Sequence, residues 1–63
     1  MLLQDAIELL HSQAGEDQLV FYSQKTDTRS AGFYVRDCEN GDLTFLGADY
    51  ATATRTLYKL TAS

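Results

Sequence analysis

Few residues in this chain have side chains suited to catalysis. The sequence contains one histidine, His11, and one cysteine, Cys38. A thiol and an imidazole act as nucleophile and base only where they meet in space. Since His11 is expected on the polar side of a helix and Cys38 at a strand end, we predict no catalytic pair and no enzyme. Cys38 is then a small, half-buried packing residue, with a redox role or a disulfide-linked dimer as the alternative.

Three acidic residues, Asp37, Glu39 and Asp42, lie close together in the sequence. Carboxylates are ligands for Ca²⁺, but this stretch lacks the alternating acidic frame and the distal glutamate of a calcium loop. We therefore predict a solvated acidic turn. Gly41 and Gly47 stand alone, so no glycine-rich loop that cradles phosphate is expected. The sequence predicts neither a metal nor a cofactor.

The size and charge of the chain restrict its class. The chain has 63 residues and is predicted to form a single domain, 1–63, near the lower size limit for a self-supporting core. One cysteine provides no disulfide framework, and small chains of this kind often gain stability by pairing, so a homodimer is one expectation. The formal net charge is −4. That charge disfavours general nucleic-acid affinity, because non-specific binding to phosphate backbones is mostly electrostatic.

The sequence also bears on location. No apolar stretch is long enough to cross a membrane, and the start, MLLQDAIELL, carries acidic residues where a signal peptide has positive charge. With one free thiol and no export signal, we expect a cytoplasmic protein without a membrane partner.

The hydrophobic pattern predicts five elements in the order αβββα. Apolar residues at spacings of three and four predict helices, and short β-branched and aromatic runs predict strands. Asn40-Gly41 predicts a hairpin, because this dipeptide suits a type I′ turn with positive φ at both central positions. Asp49 is the predicted N-cap of the last helix. The predicted elements are a helix over 2–13, strands over 18–23, 32–38 and 42–46, and a helix over 49–61.

These elements predict an α+β fold of two layers, in which both helices cover one face of a three-stranded antiparallel sheet. The residues predicted to face the helices are Leu19, Phe21, Phe33, Val35, Leu43 and Phe45. The residues predicted to face solvent are Val20, Tyr22, Tyr34, Arg36, Thr44 and Leu46. A solvated sheet face is normally polar, and this one is only half polar. It is either a contact surface, since Tyr and Arg are enriched at interfaces, or a set of cross-strand pairs that shield the sheet.

Part of the chain resembles known DNA-binding units. The run GFYVRDCENGDLTFLGADYATATRTLYKL, about half of the chain, resembles the three-strand-plus-helix units of AP2-type and integrase arm-type DNA-binding domains. Those units combine an aromatic strand, an NG turn, a strand ending in LG, and a helix. The resemblance implies that the solvent face docks in a groove through Tyr34, Arg36 and Thr44, with Lys25 and Arg29 on the preceding loop.

The sequence also resembles two other groups of proteins. The same run is similar to small YegP-like proteins, in which a strand, an NG hairpin and a tyrosine before the helix follow one another. The αβββα order also resembles that of double-stranded RNA-binding domains. Those domains have a basic cluster at the start of their last helix, where this sequence has Asp49, Tyr50 and Ala51.

The sequence therefore favours a non-enzymatic protein-interaction or regulatory module of bacterial or phage type, which binds a protein or itself. The residues predicted to bind the partner are Tyr22, Tyr34, Arg36, Thr44 and Leu46. The alternative is a nucleic-acid-binding module that uses the same face with Lys25, Arg29 and Arg36.

Overall fold

The computed structural model describes residues 2–62 and contains the five expected elements. They are α1 (Leu3–Gln13), β1 (Gln18–Ser23), β2 (Gly32–Asp37), β3 (Leu43–Gly47) and α2 (Tyr50–Ala62). The strands form an antiparallel sheet in the order β1-β2-β3. The predicted α+β architecture is confirmed, and no element bound differs from its prediction by more than one residue.

Both helices lie on one face of the sheet, which we call the inner face. α1 packs on β1, α2 packs on β3, and the helices also contact each other. Their contact includes a hydrogen bond from the Thr54 hydroxyl to Oε1 of Gln13, 2.8 Å long. The buried apolar core consists of Ala6, Leu10, Val20, Phe33, Val35, Leu46, Ala53 and Leu57. Within residues 2–62, neither helix is both long and apolar enough to cross a membrane.

The side-chain orientation predicted for β2 is correct, but that for β1 and β3 is wrong. Val20 lies opposite Val35, and Val35 lies opposite Thr44, so these three side chains share the inner face. The inner face contains Val20, Tyr22, Phe33, Val35, Thr44 and Leu46. The residues of β1 and β3 that were predicted to face the helices, Leu19, Phe21, Leu43 and Phe45, lie on the other face. Because almost every residue in these two strands suits a strand interior, residue type did not select the face.

A β-bulge in β3 helps to fill the core. Phe33 lies opposite Gly47, whereas Tyr34 lies opposite Phe45, so Leu46 is an extra residue in β3. A bulge bends its strand and redirects a side chain. Here the side chain of Leu46 enters the core and is only 2% exposed.

The hairpin around Gly41 is confirmed, but its turn is not type I′. The Asp37 N–H donates a hydrogen bond to the Asp42 carbonyl at 2.8 Å, and residues 38–41 form the loop between them. Gly41 has a φ of 78°, and no residue other than glycine has a positive φ within 2–62. Asn40 therefore lacks the positive φ that a type I′ turn requires.

The N-terminus of α2 is capped as predicted. The carboxylate of Asp49 accepts a hydrogen bond from the backbone N–H of Thr52 at 2.8 Å. This bond lowers the pKa of Asp49, with further help from the Thr52 side chain and the positive charge of Arg55. The cap positions the start of the helix that covers β3.

Candidate functional site

The face of the sheet opposite the helices, which we call the outer face, carries two rows of side chains across the three strands. Phe21 lies opposite Tyr34, and Tyr34 lies opposite Phe45, which makes an aromatic row. Leu19 lies opposite Arg36, and Arg36 lies opposite Leu43, which makes an arginine row. The outer face thus consists of Leu19, Phe21, Tyr34, Arg36, Leu43 and Phe45.

The aromatic row is closely packed. The ring centroids of Phe21 and Tyr34 are 5.8 Å apart with an interplanar angle of 17°. Those of Tyr34 and Phe45 are 5.1 Å apart at 57°. Offset and tilted ring pairs of this kind each contribute about 0.5–1.5 kcal/mol beyond their burial. Tyr34, in the centre, is consequently only 6% exposed, although no helix covers it.

The connecting segment, residues 24–31, also contacts the centre of this row. The Tyr34 hydroxyl donates a hydrogen bond to the Ser30 carbonyl at 2.7 Å. The Arg29 guanidinium carbon lies 5.9 Å from the centroid of the Tyr34 ring, within the range of a cation–π interaction. The Thr26 hydroxyl accepts a hydrogen bond from the Arg29 N–H at 3.0 Å, which shapes the segment locally. Tyr34 therefore holds Arg29 beside the outer face.

The arginine row is more exposed than Tyr34, which lies at the centre of the aromatic row. Leu19 is 49% exposed and Leu43 is 40% exposed, and Arg36 between them is exposed as well. Next to this row is a groove of about 300 Å³, which we call the outer groove. It is lined by Leu19, Phe21, Arg29, Arg36, Gly41 and Leu43.

Within the described part of the chain, the two arginines of the outer groove have no acidic partner. Among residues 2–62, no carboxylate lies within 4.0 Å of either the Arg29 or the Arg36 guanidinium. The chain has nine acidic residues and a net charge of −4. In so acidic a chain, two guanidinium groups that line one groove beside exposed leucines make a local concentration of positive charge.

The structure divides the predicted contact residues between the two faces. Arg36 lies on the outer face and is exposed, as predicted. Tyr34 lies there too, but it is buried. Tyr22, Thr44 and Leu46 lie on the inner face instead, where the Tyr22 ring contacts the Phe33 ring at a centroid distance of 5.3 Å. The prediction that all five of these side chains share the solvent-facing side of the sheet is therefore wrong, because only Tyr34 and Arg36 lie on the outer face.

The predicted nucleic-acid contacts are also only partly brought together. Arg29 and Arg36 line the same groove, whereas Lys25 is exposed in the connecting segment and does not contribute to the groove lining.

The sequence contained one signal that would have identified the missed residues on β3. Two strands joined by an even number of loop residues pair odd positions with even positions. The expected turn has two residues and the observed loop 38–41 has four, so both are even. In either case Val35 lies opposite an even-numbered residue of β3 and shares its face. Phe45 then faces away from Val35. For β1 no such signal existed. The polar segment between β1 and β2 does not show which two residues pair at its ends, so the number of loop residues cannot be counted from the sequence.

The residues first considered for chemistry do not form a site. His11 is exposed on α1, and Cys38 is exposed in the loop after β2, so the expectation of a half-buried Cys38 is wrong. Asp37 accepts a hydrogen bond from the Glu39 N–H at 2.9 Å within that loop. Over the described residues, no group of three or more His, Cys, Asp or Glu side chains is placed to hold a metal ion.

Comparisons with known proteins add no family to this picture. A scan of the chain against models of protein families, a search of curated proteins and a search of solved structures each found no match. The resemblances seen in the sequence therefore stay predictions, and the function has to be argued from the outer face itself.

Proposed function

We propose that this protein is a non-enzymatic protein-interaction module, and that the outer face of its sheet binds the partner. The observation that carries the proposal is the placement of two guanidinium groups, Arg29 and Arg36, in one groove beside exposed apolar side chains, with no carboxylate within 4.0 Å of either among residues 2–62. Exposed apolar patches rimmed by polar groups are typical of interaction sites. Arginine is also enriched at such sites.

Within the outer face, the margins serve binding and the centre serves the fold. Leu19, Leu43 and Phe45 are each at least 40% exposed, so their apolar surface is available to a partner. Tyr34 is buried among its neighbours and holds the connecting segment. Replacing Tyr34 would therefore damage the surface indirectly, and the test has to use the exposed margin.

The proposal is tested by placing a photo-crosslinking amino acid on the outer face in cells that naturally produce the protein. One variant carries it at Leu43, and a matched control carries it at Tyr58, which is 72% exposed on α2. We expect covalent adducts with protein at position 43 and few at position 58. An adduct of twice the mass of the chain would identify a second copy as the partner.

Equal adduct yields at the two positions, or none at position 43, would contradict the proposal. Circular dichroism and sedimentation of both purified variants provide the control that each is folded.

The alternative, a nucleic-acid-binding module on the same face, has support from one observation. Arg29 and Arg36 line a single groove together with the ring of Phe21, and arginines beside an aromatic side chain suit a nucleic-acid strand. Fluorescence anisotropy with duplex DNA and RNA at low salt tests this alternative. It predicts an affinity that falls steeply with added salt and is lost in Arg36→Ala. No binding below high micromolar concentration would eliminate it.

A further inference from the structure

We infer that the occupant of the outer groove is a short acidic peptide segment of a partner protein, which packs an apolar side chain against Leu43 and places carboxylates on Arg29 and Arg36. This inference rests on the proposed function and specifies its partner. Three properties of the outer face support it: its area, its charge and the position of the neighbouring acidic loop.

The area of the outer face suits a peptide better than a globular surface. Three strands spaced about 4.8 Å apart, with about six residues at about 3.4 Å each, make a face on the order of 300 Å². A stable interface between globular proteins, or between two copies of a chain, buries about 800 Å² of accessible surface on each side, so such a partner would also have to contact surface outside the sheet face. The outer groove, at about 300 Å³, has the volume of a small ligand pocket. A single large apolar side chain with its flanking residues matches these dimensions.

The charges of the outer groove select an acidic ligand. Arg29 and Arg36 have no carboxylate within 4.0 Å among the described residues, and guanidinium groups bind carboxylates through charge-assisted hydrogen bonds. A second copy is a poor occupant, because a face-to-face pair of outer grooves would bring four guanidinium groups together. An acidic segment satisfies both arginines without that repulsion.

The loop beside the groove argues against a long polyanion. Gly41 lines the groove, and its loop neighbours Glu39 and Asp42 are exposed acidic residues. A nucleic-acid strand carries one charge on every phosphate, so a strand that crosses the groove toward this loop would approach like charge. A peptide, in contrast, can place carboxylates at the two arginines and have neutral residues of its own near the loop.

The test is selection of a random peptide display library against the purified protein, followed by anisotropy titration of the enriched sequences as labelled synthetic peptides. We expect enriched peptides that combine acidic residues with one large apolar residue. Arg36→Glu should weaken their binding by roughly tenfold or more, as should Leu43→Ser, which removes the apolar contact without adding charge. Lys59→Glu is the matched control, because it makes the same change in net charge on the exposed side of α2 and should leave affinity within about twofold.

The outcomes distinguish a failure of the acidic specificity from a failure of the proposed function. Enriched peptides that are neutral or basic, yet lose binding in Leu43→Ser, would overturn the acidic specificity and leave the proposed function standing. Enriched peptides whose binding is unchanged in both Leu43→Ser and Arg36→Glu would overturn the acidic specificity and the proposed function together. If an oligothymidine strand bound more tightly than any enriched peptide, nucleic acid would be the better ligand of the groove and the inference would be overturned.

Discussion

The inner and outer faces of the sheet both carry aromatic and aliphatic side chains, but they differ in what covers them. On the inner face, Val35 and Leu46 are 3% and 2% exposed beneath the helices. On the outer face, Leu19 and Phe45 remain 49% and 45% exposed. Apolar residue type is thus a poor guide to the core in a chain this small. The packing of α1 and α2 on one face decides which apolar residues stabilise the fold and which are available to a partner.

The largest expected effect separates the two faces by stability. Leu57 of α2 is fully buried against the inner face, so Leu57→Ala should lower the free energy of unfolding by about 3 kcal/mol. A chain of this size has a total stability of only about 3–9 kcal/mol. Leu43→Ala on the outer face should cost less than about 1 kcal/mol. Urea unfolding followed by circular dichroism measures both, and equal losses would show that the faces do not differ in this way.

A second prediction concerns the backbone beneath the aromatic row. A Cβ atom at Gly32 would lie 2.5 Å from the Gly47 carbonyl oxygen and 2.7 Å from a carbon of the Phe45 ring. Gly32→Ala should therefore destabilise the protein by about 2 kcal/mol, since backbone or ring must shift. Gly41→Ala is the control, because it meets no atom within 4 Å and its cost, about 1 kcal/mol, comes from the positive φ alone. A smaller loss for Gly32→Ala than for Gly41→Ala would contradict close packing of the outer face.

The third prediction tests whether the centre of the outer face is structural. Tyr34→Phe keeps the ring but removes the hydrogen bond to Ser30, so it should cost about 1 kcal/mol and speed hydrogen exchange in residues 24–31. Tyr58→Phe, on an exposed side chain of α2, should change neither quantity. If the two variants behaved alike, Tyr34 would not hold the connecting segment.

The smallest expected effect comes from Asp49, which caps the helix over the inner face. Because the pKa of Asp49 is lowered from 3.8 in the folded protein, its charged form stabilises the fold above that value, and this contribution is lost as pH falls through the lowered pKa. The difference in unfolding free energy between the wild type and Asp49→Ala should thus shrink with acid. A difference that stays constant from neutral pH to pH values well below 3.8 would show that the charge makes no contribution.

Local signals in the sequence predicted the elements well because those signals depend on near neighbours. The apolar spacing in α1, the cap at Asp49 and the glycine at position 41 each act within a few residues. The candidate site was predicted less well. Arg36 was placed correctly, but Tyr22 and Leu46 belong to the core, and Tyr34 is buried by its neighbours on the outer face.

The sequence by itself determined the order, type and bounds of the five elements, since turn chemistry and hydrophobic period are properties of short segments. Only the tertiary structure decided which side of β1 and β3 the helices cover, because the register across residues 24–31 and 38–41 is fixed by long-range strand pairing. A shift of one residue in that register exchanges the two faces of a strand. The same residues would then lie in the core or on the exposed outer face, and no local pattern in β1 determines which.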